Sequence, residues 1–182
     1  MEVLTDKKIL TNKNNNGVQG APTLKVVEYG DGVHHITKIE LEDFIVGVIP
    51  AAAAALTLEP ITPLYTLPAG VQLRSASYGS IGVTAVGTAV SPEIGLGTVA
   101  GDGSANATIG AAGATMEDIL EGYVVATTVT HAEVESSAAE LGISASGDVK
   151  SVFLNSAGTW NVDNAGNLTV SGTVVLVWDT LV

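Results

Sequence analysis

The sequence predicts an all-β chain: an antiparallel β-sandwich of jelly-roll type with one or two short helices and an extended N-terminal arm. Three observations carry this expectation. Hydrophobic residues make up 46% of the chain but aromatics only 4%, and there are 21 glycines, so the core is built from Val, Leu, Ile and Ala and interrupted by many turns. Short apolar runs recur at close spacing, separated by Gly, Asn, Asp and Pro, which is the pattern of a sandwich or barrel. The stretch Leu64 to Leu73 reads as a strand, a tight Pro-Ala-Gly turn and a second strand. Pro68 fixes its own φ and lacks an N–H, and Gly70 takes a positive φ without a side-chain clash. No fixed repeat period marks a solenoid or propeller.

Taken in order, residues 1–22 are polar, contain Asn14-Asn15-Asn16-Gly17 and Gly20-Ala21-Pro22, and show no sustained apolar period; they form the arm, and residues 23–182 form the sandwich domain. Thr23 to Tyr29 is a strand, Gly30-Asp31-Gly32 turns the chain, and Val33 to Glu42 returns as the second strand of a hairpin. Phe44 to Ile49 continues as a strand with little charge, buried on both faces or covered by a partner, and Pro50 ends it. Ala51 to Leu58 has five consecutive alanines bracketed by Pro50 and Pro60, which favours one or two helical turns over a strand. Strands follow at Tyr65–Leu67, Val71–Ala76, Ile81–Val90 and Glu93–Val99. Thr115 to Gly122 has the features of a short helix, with Thr115 as cap, Asp118 reaching back from the third position and Gly122 at the end. The remaining strands are Tyr123–Thr130, Ile143–Ser146, Val152–Leu154, Thr159–Val162 and Leu168–Val177, with Thr173 to Trp178 central and buried.

Charge narrows the function classes. The chain carries a net charge of −12, and residues 39–182 hold only Arg74 and Lys150 against fifteen carboxylates, whereas residues 1–38 hold five Lys and four Asp or Glu. An acidic body repels nucleic-acid phosphates and anionic lipid, so neither nucleic acid nor membrane is expected as a partner. The absence of cysteine excludes disulfides and thiolate metal sites and leaves stability to packing or oligomerisation. Met1 to Lys8 lacks the apolar core of a signal peptide, and the apolar run Phe44 to Leu58 is broken by Gly47 and Pro50, so a soluble chain made in a cytoplasm is expected.

Candidate chemistry is sparse. Histidines occur at His34, His35 and His131, and neighbours on a strand point to opposite faces, so His34 and His35 meet one metal only across a bulge. Asp102-Gly103-Ser104-Ala105-Asn106 and Asp163-Asn164-Ala165-Gly166-Asn167 look like parts of oxygen-ligand loops but lack the full spacing and terminal Glu of an EF-hand. Glu117 with Glu121, and Glu133 with Glu135, are spaced to share a face, and read as solvated carboxylates. Gly95-Leu96-Gly97 lacks a third Gly at the phosphate-binding offset, and no Gly-x-Ser-x-Gly elbow occurs. Tyr65, Trp160 and Trp178 read as core or interface packing. No residue is given a catalytic, cofactor-binding or metal-binding role, no cofactor is expected, and the chain reads as a non-enzyme.

Residues 64–130 carry a resemblance. Tyr65-Thr66-Leu67-Pro68-Ala69-Gly70 followed by Val71-Gln72-Leu73, then Gly95-Leu96-Gly97-Thr98, then Met116-Glu117-Asp118-Ile119-Leu120-Glu121-Gly122, resemble elements of virion structural proteins of tailed bacteriophages, in particular capsid decoration or cement proteins with a jelly-roll fold. Gly30 to Lys38 adds an opening hairpin of similar style. The resemblance implies a non-enzymatic protein on the outer capsid surface, with the major capsid protein and further copies of itself, as a homotrimer, for partners. It also implies that residues 1–22 are an inter-subunit or capsid-binding arm. The alternative is a tail-fibre or receptor-binding β-sandwich module; a metal-assisted hydrolase would need the three histidines to converge.

Overall fold

The computed structural model describes residues 23–51, 55–85, 88–125, 134–135, 150–161 and 165–180. The arm, His131, Glu133, Ile143–Ser146 and Asp163-Asn164 therefore lie outside the described residues.

Among the described residues ten strands divide between two antiparallel sheets. They are β1 (Thr23–Gly30), β2 (His34–Ile49), β3 (Ala55–Thr57), β4 (Tyr65–Leu67), β5 (Val71–Ala85), β6 (Thr88–Gly97), β7 (Leu120–Val124), β8 (Val134–Glu135), β9 (Lys150–Asn161) and β10 (Gly166–Thr180). The first sheet has the order β1-β2-β10-β5-β8, and the second has β3-β9-β6-β7 with β4 also paired to β9. The pairings nest: β2 with β10, β3 with β9, β5 with β8 and β6 with β7. That is one long double-stranded hairpin wrapped into two sheets, the jelly-roll arrangement. It emerges from the sequence because strands that alternate apolar and polar residues must each bury one face.

The inner faces supply the core. Ile39, Leu41, Leu73, Val174 and Leu176 from the first sheet meet Ile94, Leu96, Val152 and Leu154 from the second, all essentially buried. Trp160 lies in this core and donates its Nε1–H to the Leu56 carbonyl at 3.2 Å. β2 runs on through Asp43, which adopts φ 51° where the register with β10 shifts. Ser80 on β5 also has a positive φ, 52°, and β10 shifts register against β5 near the same level. A line of bulges across neighbouring strands therefore bends long strands where breaks would otherwise shorten them.

Three expectations are corrected. Ala55–Thr57 is a strand paired with Ala157–Thr159, so tertiary pairing overrides the helix propensity of the alanine run where it is described. Thr115–Gly122 is not a helix: a 3₁₀ turn covers Ala114–Met116, and β7 already begins at Leu120. Asp118 does not cap that segment, because it accepts hydrogen bonds from Thr98 N at 2.7 Å and Thr98 Oγ1 at 2.6 Å. Ile81–Val90 is likewise divided between β5 and β6. The short helix α1 instead spans Ile109–Ala112.

Candidate functional site

The two outer faces of the sandwich differ. The outer face of the second sheet is roofed by the excursion between β6 and β7, which contains α1. Gly97 makes the roof possible, since a Cβ there would collide with the Met116 backbone. Asn155 pins it from the middle of β9. Its Oδ1 accepts from Gly101 N at 2.9 Å, and its Nδ2 donates to Val99 O at 2.9 Å and Met116 O at 2.7 Å. Ile119 N closes the excursion onto Leu96 O at 3.0 Å. Ile109, Met116 and Ala157 form a small separate core beneath it. The resemblance segments Gly95–Thr98 and Met116–Gly122 are thus brought together as a structural clasp, and Gly95-Leu96-Gly97 serves close packing.

The outer face of the first sheet has no such cover among the described residues. The register places Tyr29, Ile36, Val177 and Ser75 in one transverse row and Val27, Lys38, Val175 and Ser77 in the next. Tyr29 is 38% and Ile36 46% exposed. Apolar side chains on a solvent-facing sheet surface depart from the usual inside-out alternation.

Two ion-pair clusters frame this apolar centre. On one flank the Glu40 carboxylate is shared by Lys25 and Lys38, each at 2.8 Å, and the two ammonium groups hold it down at about 2. On the other, Asp179 accepts from Arg74 Nε at 2.6 Å and lies 2.7 Å from His34 Nδ1. The Asp179 hydrogen bond raises His34 above its ordinary pKa, and His34 first and then Arg74 lower Asp179. Each carboxylate is thus contacted by two basic groups. Of the four Lys and Arg among the described residues, Lys25, Lys38, Arg74 and Lys150, three stand on this face.

The histidines part company as strand geometry requires. His34 is exposed, whereas His35 turns inward and stacks on Trp178 with centroids 3.9 Å apart and planes 2° from parallel. His35 Nδ1 lies 3.0 Å from Glu28 Oε1, Tyr65 donates to Glu28 Oε2 at 3.3 Å, and Trp178 Nε1 donates to Thr37 Oγ1 at 2.9 Å. Burial pushes the Tyr65 hydroxyl up to about 12. The partners of this network are one another, so it knits β1, β2, β4 and β10 at one end of the sandwich.

The acidic candidates are also accounted for. Asp102 Oδ1 accepts from Ser104 N at 3.0 Å and Thr57 Oγ1 at 3.2 Å, closing its own loop. Glu93 Oε2 accepts from Ile109 N at 2.6 Å, and Glu117 Oε2 from Gly122 N at 2.7 Å. Burial raises the Glu93 pKa, and the charges of Glu117 and Glu121 add to the rise against the opposing Ile109 bond. Glu121 is exposed rather than paired on a helical face with Glu117. The Tyr78 hydroxyl is buried with no hydrogen-bond partner among the described residues, and burial, then the Glu117 charge, holds it far above its ordinary range. Among the described residues no three His, Asp or Glu side chains gather to hold a metal ion.

Sequence reasoning misses Asn155 and the His34–Asp179–Arg74 group. An Asn inside the apolar run Phe153-Leu154-Asn155-Ser156 is the signal for the first; the second depends on β2, β5 and β10 being neighbours, which no local pattern reports. Comparison of the chain with family models, with curated proteins and with solved structures finds no match.

Proposed function

We propose that the chain is a non-enzymatic structural protein of a tailed-bacteriophage virion that binds the outer capsid surface and stabilises the shell. The observation that carries this reading is the outer face of the first sheet, uncovered among the described residues, with Tyr29, Ile36 and Val177 in one row between two ion-pair clusters, while the candidate side chains Asp102, Glu93 and Glu117 are engaged in the fold itself. Such a face is built to adhere. The resemblance in residues 64–130 supplies the context of a phage shell, and the jelly roll suits a repeated surface subunit. The major capsid protein and further copies of this chain, as a trimer at threefold positions, are its partners, and residues 1–22 are the arm that reaches the shell or a neighbour.

Quantitative mass spectrometry of purified particles tests this directly. A copy number of the same order as the major shell protein is the expected result. A few copies per particle would replace the shell assignment with a tail-fibre or receptor-binding module, and absence from particles would reject both.

A further inference from the structure

We infer that the free edge of β7 is the docking site for Lys7 to Lys13, a segment of the N-terminal arm, supplied by a second copy of this chain. The inference rests on the proposed function and names one contact between copies. It is tested in solution without particles, so its failure and that of the capsid reading are distinguishable.

The edge is open, partly apolar and short of positive charge. β7 ends the second sheet, with β6 on one side and no strand paired to its other side among the described residues. Tyr123 stands opposite Ile94 and Val124 opposite Glu93, so the two point to opposite sides of the sheet, yet they are 37% and 54% exposed. Glu117 and Glu93 converge on Gly122: Glu117 Oε2 accepts from its N–H at 2.7 Å, and a Cβ there would collide with the Glu93 carboxyl group. Glu121, which is exposed, adds a third carboxylate. Among the described residues no cation pairs with any of the three.

One segment of the chain supplies what this edge lacks. Lys7-Lys8-Ile9-Leu10-Thr11-Asn12-Lys13 holds three of the seven Lys and Arg, two large aliphatic side chains and no carboxylate. The other cations are engaged or distant. Lys25 and Lys38 pair with Glu40 and Arg74 with Asp179, while Lys150 stands on β9 opposite Leu67, with β6 between β9 and β7. Laid along β7, the segment would pair its backbone with the free edge. Ile9 and Leu10, as sequence neighbours, would then face opposite sides, as Tyr123 and Val124 do, and the lysines would meet the carboxylates.

The place where the arm joins the sandwich assigns the segment to a neighbour. Residues 1–22 lead into β1, which ends the first sheet on the side where Tyr65 of β4 donates to Glu28. β4 and β7 stand at opposite sides of the second sheet, so the arm starts on the side of the sandwich away from β7. To reach its own β7 the arm would cross the width of a sheet, about 14–19 Å, and the gap between the sheets, about 10 Å. That consumes nearly all of the roughly 30 Å that Asn14 to Pro22 spans when fully extended. A second copy set side by side brings its β7 next to β1 instead. The contact is heterologous, so it closes into a ring, at three copies the trimer of the proposed function.

The chain has no cysteine, so introduced cysteines report the contact directly. Full-length Ile9→Cys and Val124→Cys variants, mixed one to one under mild oxidation, should form a disulfide-linked heterodimer. Its yield should exceed at least tenfold that of Ile9→Cys mixed with Ile61→Cys, whose side chain is exposed elsewhere. In sedimentation velocity the wild type should be larger than a monomer, and Lys7→Glu with Lys8→Glu should weaken association at least tenfold. Adding Glu121→Lys to that double variant should restore association, because every copy then carries both halves of the exchanged charge pair. Circular dichroism should stay at the wild-type values throughout. A monomeric wild type, a crosslink yield no higher than the control, charge reversal without effect on association, or an Ile9→Cys/Val124→Cys chain that crosslinks only within itself would each overturn the inference.

Discussion

The two outer faces of this sandwich are made by the same kind of strand, yet among the described residues one is roofed and the other is not. Over the second sheet the chain makes its own cover. Gly95 and Gly97 clear space on β6, Asn155 holds the excursion by three hydrogen bonds, and Met116 and Ile109 fill the gap. Over the first sheet there is no comparable excursion among the described residues, and apolar residues stand in the open between shared carboxylates. On the proposed reading, a chain that covers one face of its sandwich and leaves Tyr29 and Ile36 exposed on the other keeps part of its apolar surface for a partner.

The contrast breaks most severely at Asn155. Asn155→Ala leaves Gly101 N, Val99 O and Met116 O without their partner in a buried place, and should lower stability by about 3 kcal/mol in denaturant melts. A loss under ~1 kcal/mol would mean that the roof does not depend on this side chain. Gly97→Ala comes next, because its methyl group would meet the Met116 backbone. A loss of roughly 1–3 kcal/mol is expected, with the largest gain in amide exchange across residues 98–119. An unchanged exchange pattern there would contradict the close packing assigned to this glycine.

On the bare face the same kind of substitution should behave differently. On the proposed reading Ile36→Asp should cost roughly 1 kcal/mol, since Ile36 is 46% exposed in a strand paired on both sides, while abolishing binding to the partner, so it separates folding from adhesion where Asn155→Ala does not. A large loss of stability in the monomer would show that Ile36 is part of the fold rather than of a docking surface.

The smallest expected effect belongs to His34. Its folded-state pKa is raised, chiefly by the hydrogen bond to Asp179, so protonated His34 favours the folded chain. The contribution is fully present below its unfolded value, near pH ~6.5, and is lost as pH rises through the raised folded value. The difference in melting temperature between wild type and His34→Ala should therefore shrink with rising pH across that window. A difference independent of pH would remove the charge pairing with Asp179 from the account.

Much of the fold is legible in the sequence because local patterns cause it. Gly30-Asp31-Gly32 turns β1 into β2, and Pro68-Ala69-Gly70 turns β4 into β5 with Gly70 at φ 73°. The inward alternation of β10 follows directly from Val170, Val174, Leu176 and Trp178. What local patterns do not carry is the competition between propensity and pairing. Ala55 to Thr57 follows its partner β9 into a sheet, and Asp118 finds Thr98 across the clasp rather than its own helix end. The bare face is half legible: Tyr29, Ile36 and Val177 are plain apolar residues in strands, and only the register of β1, β2 and β10 shows that they share a row facing solvent.

The central claim is that the bare face is covered by association and the roofed face by the chain itself. Hydroxyl-radical footprinting of the full chain, from dilute to concentrated solution, measures this most directly. The account predicts that Tyr29 and Ile36 on the face lose reactivity as concentration rises, while Met116 under the roof stays equally unreactive throughout. Reactivity at Tyr29 and Ile36 that does not change with concentration would contradict it.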